Sequence, residues 1–113
     1  MLKKELRLTK NREIVWMMKN GQRVKGPYFV VIGVKNNFPD FRAAVVIGKT
    51  VNVNAVKRNK LKRQIHASID RIDKLNPIKG IKFIVRIFKY LVDSKITNEW
   101  LDAEIEKCLK SWR

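Results

Sequence analysis

Apolar positions along the chain fall into segments of two different periods, and the change of period marks the elements. Residues 1–9 read as an extended, basic lead-in. From 10 to 20, Ile14, Val15, Met17 and Met18 recur at near-helical spacing, with Thr9 or Asn11 as N-cap and Asn20-Gly21 as the stop. Residues 28–34 (YFVVIGV) are apolar and β-branched, lie between Gly26-Pro27 and Lys35-Asn36-Asn37, and predict a strand. Residues 41–48 (FRAAVVIG) predict a second strand, paired with the first as a hairpin through Asn-Asn-Phe-Pro-Asp. A helix over 55–73, capped by Asn54, follows from Leu61, Ile65, Ile69 and Ile72 at 3-to-4 spacing. Residues 81–88 (IKFIVRIF) predict a third strand. Residues 97–112 predict a closing amphipathic helix with Leu101, Ile105, Cys108, Leu109 and Trp112 on one side. The order α-β-β-α-β-α, with a further short strand near 22–24, describes an α+β sandwich in one domain, 1–113.

Composition sharpens this picture. The 113 residues carry 26 Lys and Arg against 10 Asp and Glu, a formal net charge of +16. With 45% hydrophobic residues the chain can bury a core, so the charge is not a mark of disorder. One Cys excludes a disulfide framework and a multi-thiolate zinc site. No apolar stretch reaches the roughly 18 residues of a membrane span. The N-terminus also lacks the apolar core of a signal peptide, so the expected location is cytoplasmic. Self-repulsion at this charge makes a polyanionic partner the natural expectation.

The excess is uneven. Between Glu13 and Asp70 stands one acid, Asp40, against eleven Lys and Arg, and five of these fall in residues 57–63 (KRNKLKR). The acids Glu99, Asp102, Glu104 and Glu106 gather near the end. At the start of the long helix, Lys57, Arg58, Asn59, Lys60, Lys62 and Arg63, with Lys49 in the loop before them, supply phosphate-neutralising groups and an amide able to reach bases. Arg58 and Lys62 stack one turn apart, as do Asn59 and Arg63, while Leu61 turns inward. The bland reading is a solvated charged face. The density and the embedded Asn favour nucleic-acid binding, with RNA and DNA not separable on this logic.

The run GKTVNVNAVKRNKLKRQI resembles the signature of the bacterial ribonuclease P protein component. In that signature a strand ends in a small residue and a Lys pair, and a loop of about seven residues leads to Arg-Asn-Arg and a Lys-Arg pair on a helix. Lys49 matches the first Lys, and Arg58, Asn59, Lys62 and Arg63 match the helix. LRLTKNREI, YFVVIGV, KFIVRIFK and the closing helix are similar to the rest of the family pattern. The resemblance implies a ferredoxin-like/ribosomal-S5-domain-2-like fold, a mostly antiparallel central sheet and a left-handed β-α-β crossover. It also implies a monomeric subunit of a ribonucleoprotein that removes the 5′ leader of precursor tRNA. In that assembly the ribonuclease P RNA is catalytic and uses Mg²⁺, the Arg-Asn-Arg region contacts that RNA, and a cleft between the sheet and the first helix binds the leader. By the same resemblance the cleft positions are Ile14, Met18 and Ile32, with Phe29 and Tyr28 nearby.

Several positions depart from the family. Thr50 replaces the second Lys, and Lys60 replaces the last Arg of Arg-Asn-Arg, which keeps the charge without the bidentate fork. The cleft positions are aliphatic where the family carries aromatics, and Trp16 falls between them on the helix. His66 reads as a surface or phosphate contact rather than a catalytic base, Cys108 as a buried small hydrophobe, and Trp100 and Trp112 as anchors of the last helix. Asp70/Asp73 and Asp102/Glu106 are spaced to share a helix side but lie among Lys and Arg, and read as solvated faces rather than metal ligands. Protein nucleases need clustered carboxylates or paired acids and bases, and the basic region holds one acid in 56 residues. Catalytic residues are therefore not expected on this chain, nor a cofactor held by its side chains alone. Two other readings stay open: a non-enzymatic RNA-binding protein, such as a ribosomal protein or RNA-assembly factor, and a basic protein docking on anionic membranes. The second is weakened because the apolar stripes are needed for the core.

Overall fold

The computed structural model describes residues 2–48, 51, 53–89 and 97–112. After a 3-10 turn at Lys4–Leu6 come α1 (Asn11–Asn20), β1 (Gln22–Lys25), β2 (Phe29–Lys35), β3 (Phe41–Ile47), α2 (Ala55–Leu75), β4 (Ile81–Ile87) and α3 (Asn98–Leu109), and a 3-10 turn at Lys110–Trp112 follows. The predicted cap of α2 forms, with Asn54 Oδ1 accepting from Lys57 N at 2.9 Å, and α3 is capped by Thr97, whose Oγ1 accepts from Trp100 N at 3.1 Å. The cap predicted for α1 does not. Asn11 is already helical, Lys10 is the N-cap, and no side chain bonds the first-turn N–H groups.

One sheet holds all four strands in the order β1-β2-β4-β3. β1 and β4 run antiparallel to β2, whereas β3 and β4 run parallel. The predicted hairpin between β2 and β3 is thus replaced by a wider arrangement with β4 inserted between them. The physical reason lies in β4, where Ile81, Phe83, Ile84, Val85 and Ile87 are all buried. A strand apolar on both sides belongs in the middle of a sheet, where both of its backbone edges are paired. The link between β2 and β3 is tied to the approach to β4 instead: Asn36 N donates to Gly80 O at 3.0 Å and Gly80 N to Asp40 O at 2.9 Å. Gly80 makes this turn with φ of 67°, a conformation that suits glycine.

The sheet separates two apolar layers. On one face Phe29, Val31, Phe41, Ala43, Phe83, Val85 and Ile87 pack with Leu61, Ile65, Ile69 and Ile72 of α2 and Leu101, Ile105 and Leu109 of α3. On the other, Val30, Ile32, Ala44 and Ile84 meet Met17 of α1. α2 and α3 are joined at their outer edge by Asp102. Its carboxylate takes two hydrogen bonds from Arg71, at 2.8 Å each, and a third from Ser68 Oγ. Burial works to raise the Asp102 pKa, but these donors outweigh it and hold it below the ordinary carboxylate value. The two Trp anchors are in place. Trp100 meets Tyr28 edge-on with ring centroids 5.8 Å apart, and Trp112 lies over Gly33.

That last contact leaves no room for a side chain on β2. A Cβ on Gly33 would stand 2.7 Å from the Trp112 ring and 3.2 Å from Ile81 Cδ1. Gly33→Ala should therefore cost about 1–3 kcal/mol in urea unfolding, as overpacking does. In a Trp112→Ala background the same change should cost clearly less, which a double-mutant cycle reads as coupling.

Candidate nucleic-acid interface

α2 begins one loop after β3 and is held at two depths. Leu61, Ile65, Ile69 and Ile72 bury one side of it, which turns Asn59, Lys62 and Arg63 outward and exposed. Lys57 and Lys60 are exposed on the same turns. Arg58 differs from this set. Its Nη2 donates to Val51 O at 2.9 Å and its Nε to Val53 O at 3.3 Å, so its guanidinium ties the loop to the helix it precedes. The predicted basic face is thus a fan of five side chains around an inward-turned Arg58. Lys49 lies outside the described residues. Lys60 stands where an Arg was the family expectation, and it shares the exposed side with Lys57 and Arg63.

A second surface lies on the α1 side of the sheet. The strand register aligns Lys25, Val30, Arg86 and Val46 in one row across all four strands. Val46 and Arg86 are half-buried, and Phe88 beside them carries Lys25 Nζ 5.2 Å above its ring. Ile14 and Met18, half-buried on α1, pack on this layer. The other two cleft assignments fail. Phe29 is fully buried on the opposite face, beneath α2 and α3, because its parity along β2 is that of Val31 and not of Ile32. Ile32 has the right parity but is sealed in the layer that packs on Met17, with no accessible surface. Arg86, Val46 and Phe88 occupy the open ground in their stead. The alternation Lys82-Phe83-Ile84-Val85-Arg86 was the available signal for Arg86, since an Arg inside an apolar strand must find a solvent-facing side. Trp16 is half-exposed on α1.

A family model described as Ribonuclease P matches residues 2–113. The chain belongs to the bacterial ribonuclease P protein component family. The ribonuclease P protein component of Lactobacillus delbrueckii subsp. bulgaricus is 31% identical over 101 residues, covering 87% of this chain and 83% of that protein. That of Bacillus cereus strain Q1 is 33% identical over 87 residues, 75% of each chain. An Exiguobacterium relative is 37% identical over 68 residues, which span 60% of this chain and 59% of that protein. The solved RNase P protein from Thermotoga maritima superposes with a TM-score of 0.75 at 26% identity, covering 95% of this chain and 97% of that one. A Staphylococcus aureus RNase P protein mutant, described as defective in mRNA degradation activity, superposes with 0.70 at 28% identity, covering 96% and 88%.

Within this ribonuclease P protein fold, the remaining polar residues serve the structure. His66 is buried, not a surface contact as the sequence suggested, and its Nδ1 has no hydrogen-bond partner among the described residues. Desolvation lowers its pKa, and the cations Arg7 and Lys62 add to the effect. Of the acids expected on solvated faces, Asp102 and Asp73 are engaged in joining elements, while Asp70 keeps a solvated surface pair. Asp102 joins α2 to α3, Asp73 Oδ1 accepts from Ile78 N at 2.8 Å, and Asp70 pairs with Lys74 at 3.1 Å. Cys108 is buried, and burial pushes its thiol pKa up, away from reactivity. No helix among the described residues is long and apolar enough to cross a membrane.

Two measurements test this arrangement. Arg58→Lys keeps the charge but cannot bridge two carbonyls as a fork. Stability should fall by about 1 kcal/mol, and amide exchange at Val51 and Val53 should quicken. For His66, the folded state binds the proton less readily than the unfolded chain, so stability is intact above the ordinary value of 6.5 and is lost as pH falls through it. Urea unfolding between pH 7 and 5 should show a slope of up to about 1.4 kcal/mol per pH unit, and His66→Gln should flatten it.

Proposed function

We propose that the protein serves ribonuclease P as its RNA-binding, non-catalytic subunit. The outward side of α2 binds the ribonuclease P RNA, and the surface bounded by Ile14, Met18, Val46, Arg86 and Phe88 binds the 5′ leader of precursor tRNA, promoting endonucleolytic removal of that leader. The observation that carries this reading is the fan on α2. Lys57, Lys60, Lys62 and Arg63 with Asn59 project to solvent from a helix whose other side is locked in the core. Such a surface neutralises backbone phosphates, and the rigid helix sets their spacing. Binding there screens the repulsion between two RNAs, which is the physical service a basic subunit gives an RNA enzyme.

The reacting groups belong to the RNA in this reading. Among the described residues no three His, Cys, Asp or Glu stand together as a metal site. The best-placed carboxylate, Asp102, is instead consumed by Arg71 and Ser68. In this reading the Mg²⁺ required for hydrolysis is held by the ribonucleoprotein and not by side chains of this chain alone. The subunit acts as a cytoplasmic monomer. In the leader cleft, aliphatic Ile14 and Met18 offer apolar contact without the stacking of roughly 1–3 kcal/mol per base that aromatics provide, which leaves Phe88 and Arg86 as the groups best able to hold a base.

Reconstitution with its cognate ribonuclease P RNA at low Mg²⁺ should stimulate 5′ cleavage of precursor tRNA. No stimulation, with ribosomal RNA co-purifying instead, would favour a ribosomal or assembly role. Replacing Lys62 and Arg63 with Ala should weaken RNA binding and reduce the slope of log K against log salt by about 1–2 units. An unchanged slope would show that α2 is not the contact surface.

A further inference from the structure

A groove with a cavity of about 310 Å³ opens between the C-terminal end of α2 and α3, lined by Ile72, Leu75, Asn76, Asp102, Ala103 and Glu106. Its walls are mainly apolar. Ile72 is buried at its base, with 5% of its surface exposed. Leu75 is 88% exposed, the most of any large apolar side chain among the described residues. It adds nothing to the core, which α2 reaches through Leu61, Ile65, Ile69 and Ile72. A lone exposed leucine needs no account, but one that walls an apolar cavity extends a contiguous patch.

The banks of this groove carry the opposite sign from the rest of the molecule. α3 is the one helix or strand among the described residues in which acids outnumber bases, with Glu99, Asp102, Glu104 and Glu106 against Lys107. Glu99, Asp102 and Glu106 recur at three- and four-residue steps and share the side of α3 that holds Ala103. Arg71 and Lys74, on the last turns of α2, are taken up by Asp102 and Asp70. The C-terminus of α2 adds the negative end of its dipole. A guest that fits is therefore apolar at its centre and cationic at its flanks. RNA has the wrong charge, and a second copy of this chain brings a net charge of +16 against its like. The cavity is at the lower end of the roughly 300–1,000 Å³ of ligand pockets, room for one large side chain.

We propose that this groove docks a short segment of a second, basic polypeptide. One large apolar side chain enters against Ile72, Leu75 and Ala103, and Lys or Arg side chains on either side of it meet the acids of α3. An apolar anchor in a pocket supplies the affinity, and the surrounding charge selects the partner. Leu75 lies twelve residues beyond Arg63, about 18 Å along α2, so the guest and an RNA on the basic fan can be held together. The inference does not depend on the ribonuclease P reading, since it uses none of the residues assigned to RNA.

The test is a titration of the isotope-labelled full-length protein with a short synthetic peptide of Leu, Lys and Ala, with Leu at helical spacing. Control peptides carry Glu for Lys, or Ser for Leu. Saturable amide shifts centred on Leu75, Asn76, Ala103 and Glu106 are expected with the Leu/Lys peptide and with neither control. Leu75→Ser, a change outside the core, should weaken this binding about tenfold and leave RNA binding by α2 unchanged. Glu106→Gln should weaken it about threefold and flatten its dependence on salt. Shifts centred elsewhere, equal binding of the Glu peptide, or indifference to both substitutions would overturn the proposal. So would a concentration-dependent dimer of the free protein that Leu75→Ser abolishes in sedimentation velocity, because the occupant is then a second copy of this chain.

Discussion

The parallel pairing of β3 with β4 is the constraint on which the rest of the architecture hangs. Parallel neighbours cannot be joined by a tight turn, so the chain must leave the end of β3, cross the sheet and return to the start of β4. α2 is that crossing. Its first turns therefore stand beside the ends of β3 and β4, where Gly48 N donates to Ile87 O at 2.9 Å and Arg58 gathers the loop carbonyls. Those first turns also carry the densest positive charge in the chain. The placement of the basic face is thus a by-product of strand order.

Charge of both signs is put to use by position. The cations of α2 project into solvent, while three of the chain's acids join elements: Asp102 holds α3 to α2, Asp73 holds the approach to β4, and Glu13 holds α1 to the sheet through Lys82. Acids spent this way do not blunt the positive face. The division suits a protein that must stay folded at high net charge while presenting it to a polyanion.

Much of this was legible in the residues themselves. The long helix, its Asn54 cap, three of the strands and the closing helix follow from period and punctuation, and the basic run identified its own exposed side. The losses have common physical roots. β2 is buried on both faces, so its sequence shows no alternation, and nothing local says that Phe29 belongs with α2 and α3 rather than with Ile14 and Met18. The β2–β3 link has hairpin length and turn residues, and only the insertion of a later strand gives it another purpose. His66 sits at the margin of the apolar arc of α2, where the lead-in chain near Arg7, invisible to helix periodicity, decides its burial. Arg58 looked like its neighbours because position in the first turn, not residue type, directs it toward the loop.

The position of β4 in the chain has a consequence for biosynthesis. Before residues 81–87 are made, β2 can pair only with short β1, and an isolated two-stranded ribbon is marginal in water. β3 has no neighbouring strand at all until then. A growing chain thus releases α2, with its cations and its uncovered apolar side, before the sheet that shelters it can close. Assembly is postponed to a late, concerted step dominated by contacts distant in sequence, the kind of topology that folds slowly. The same topology that sets the basic helix at the edge of the sheet makes every element before it wait, during synthesis, on the strand that follows it.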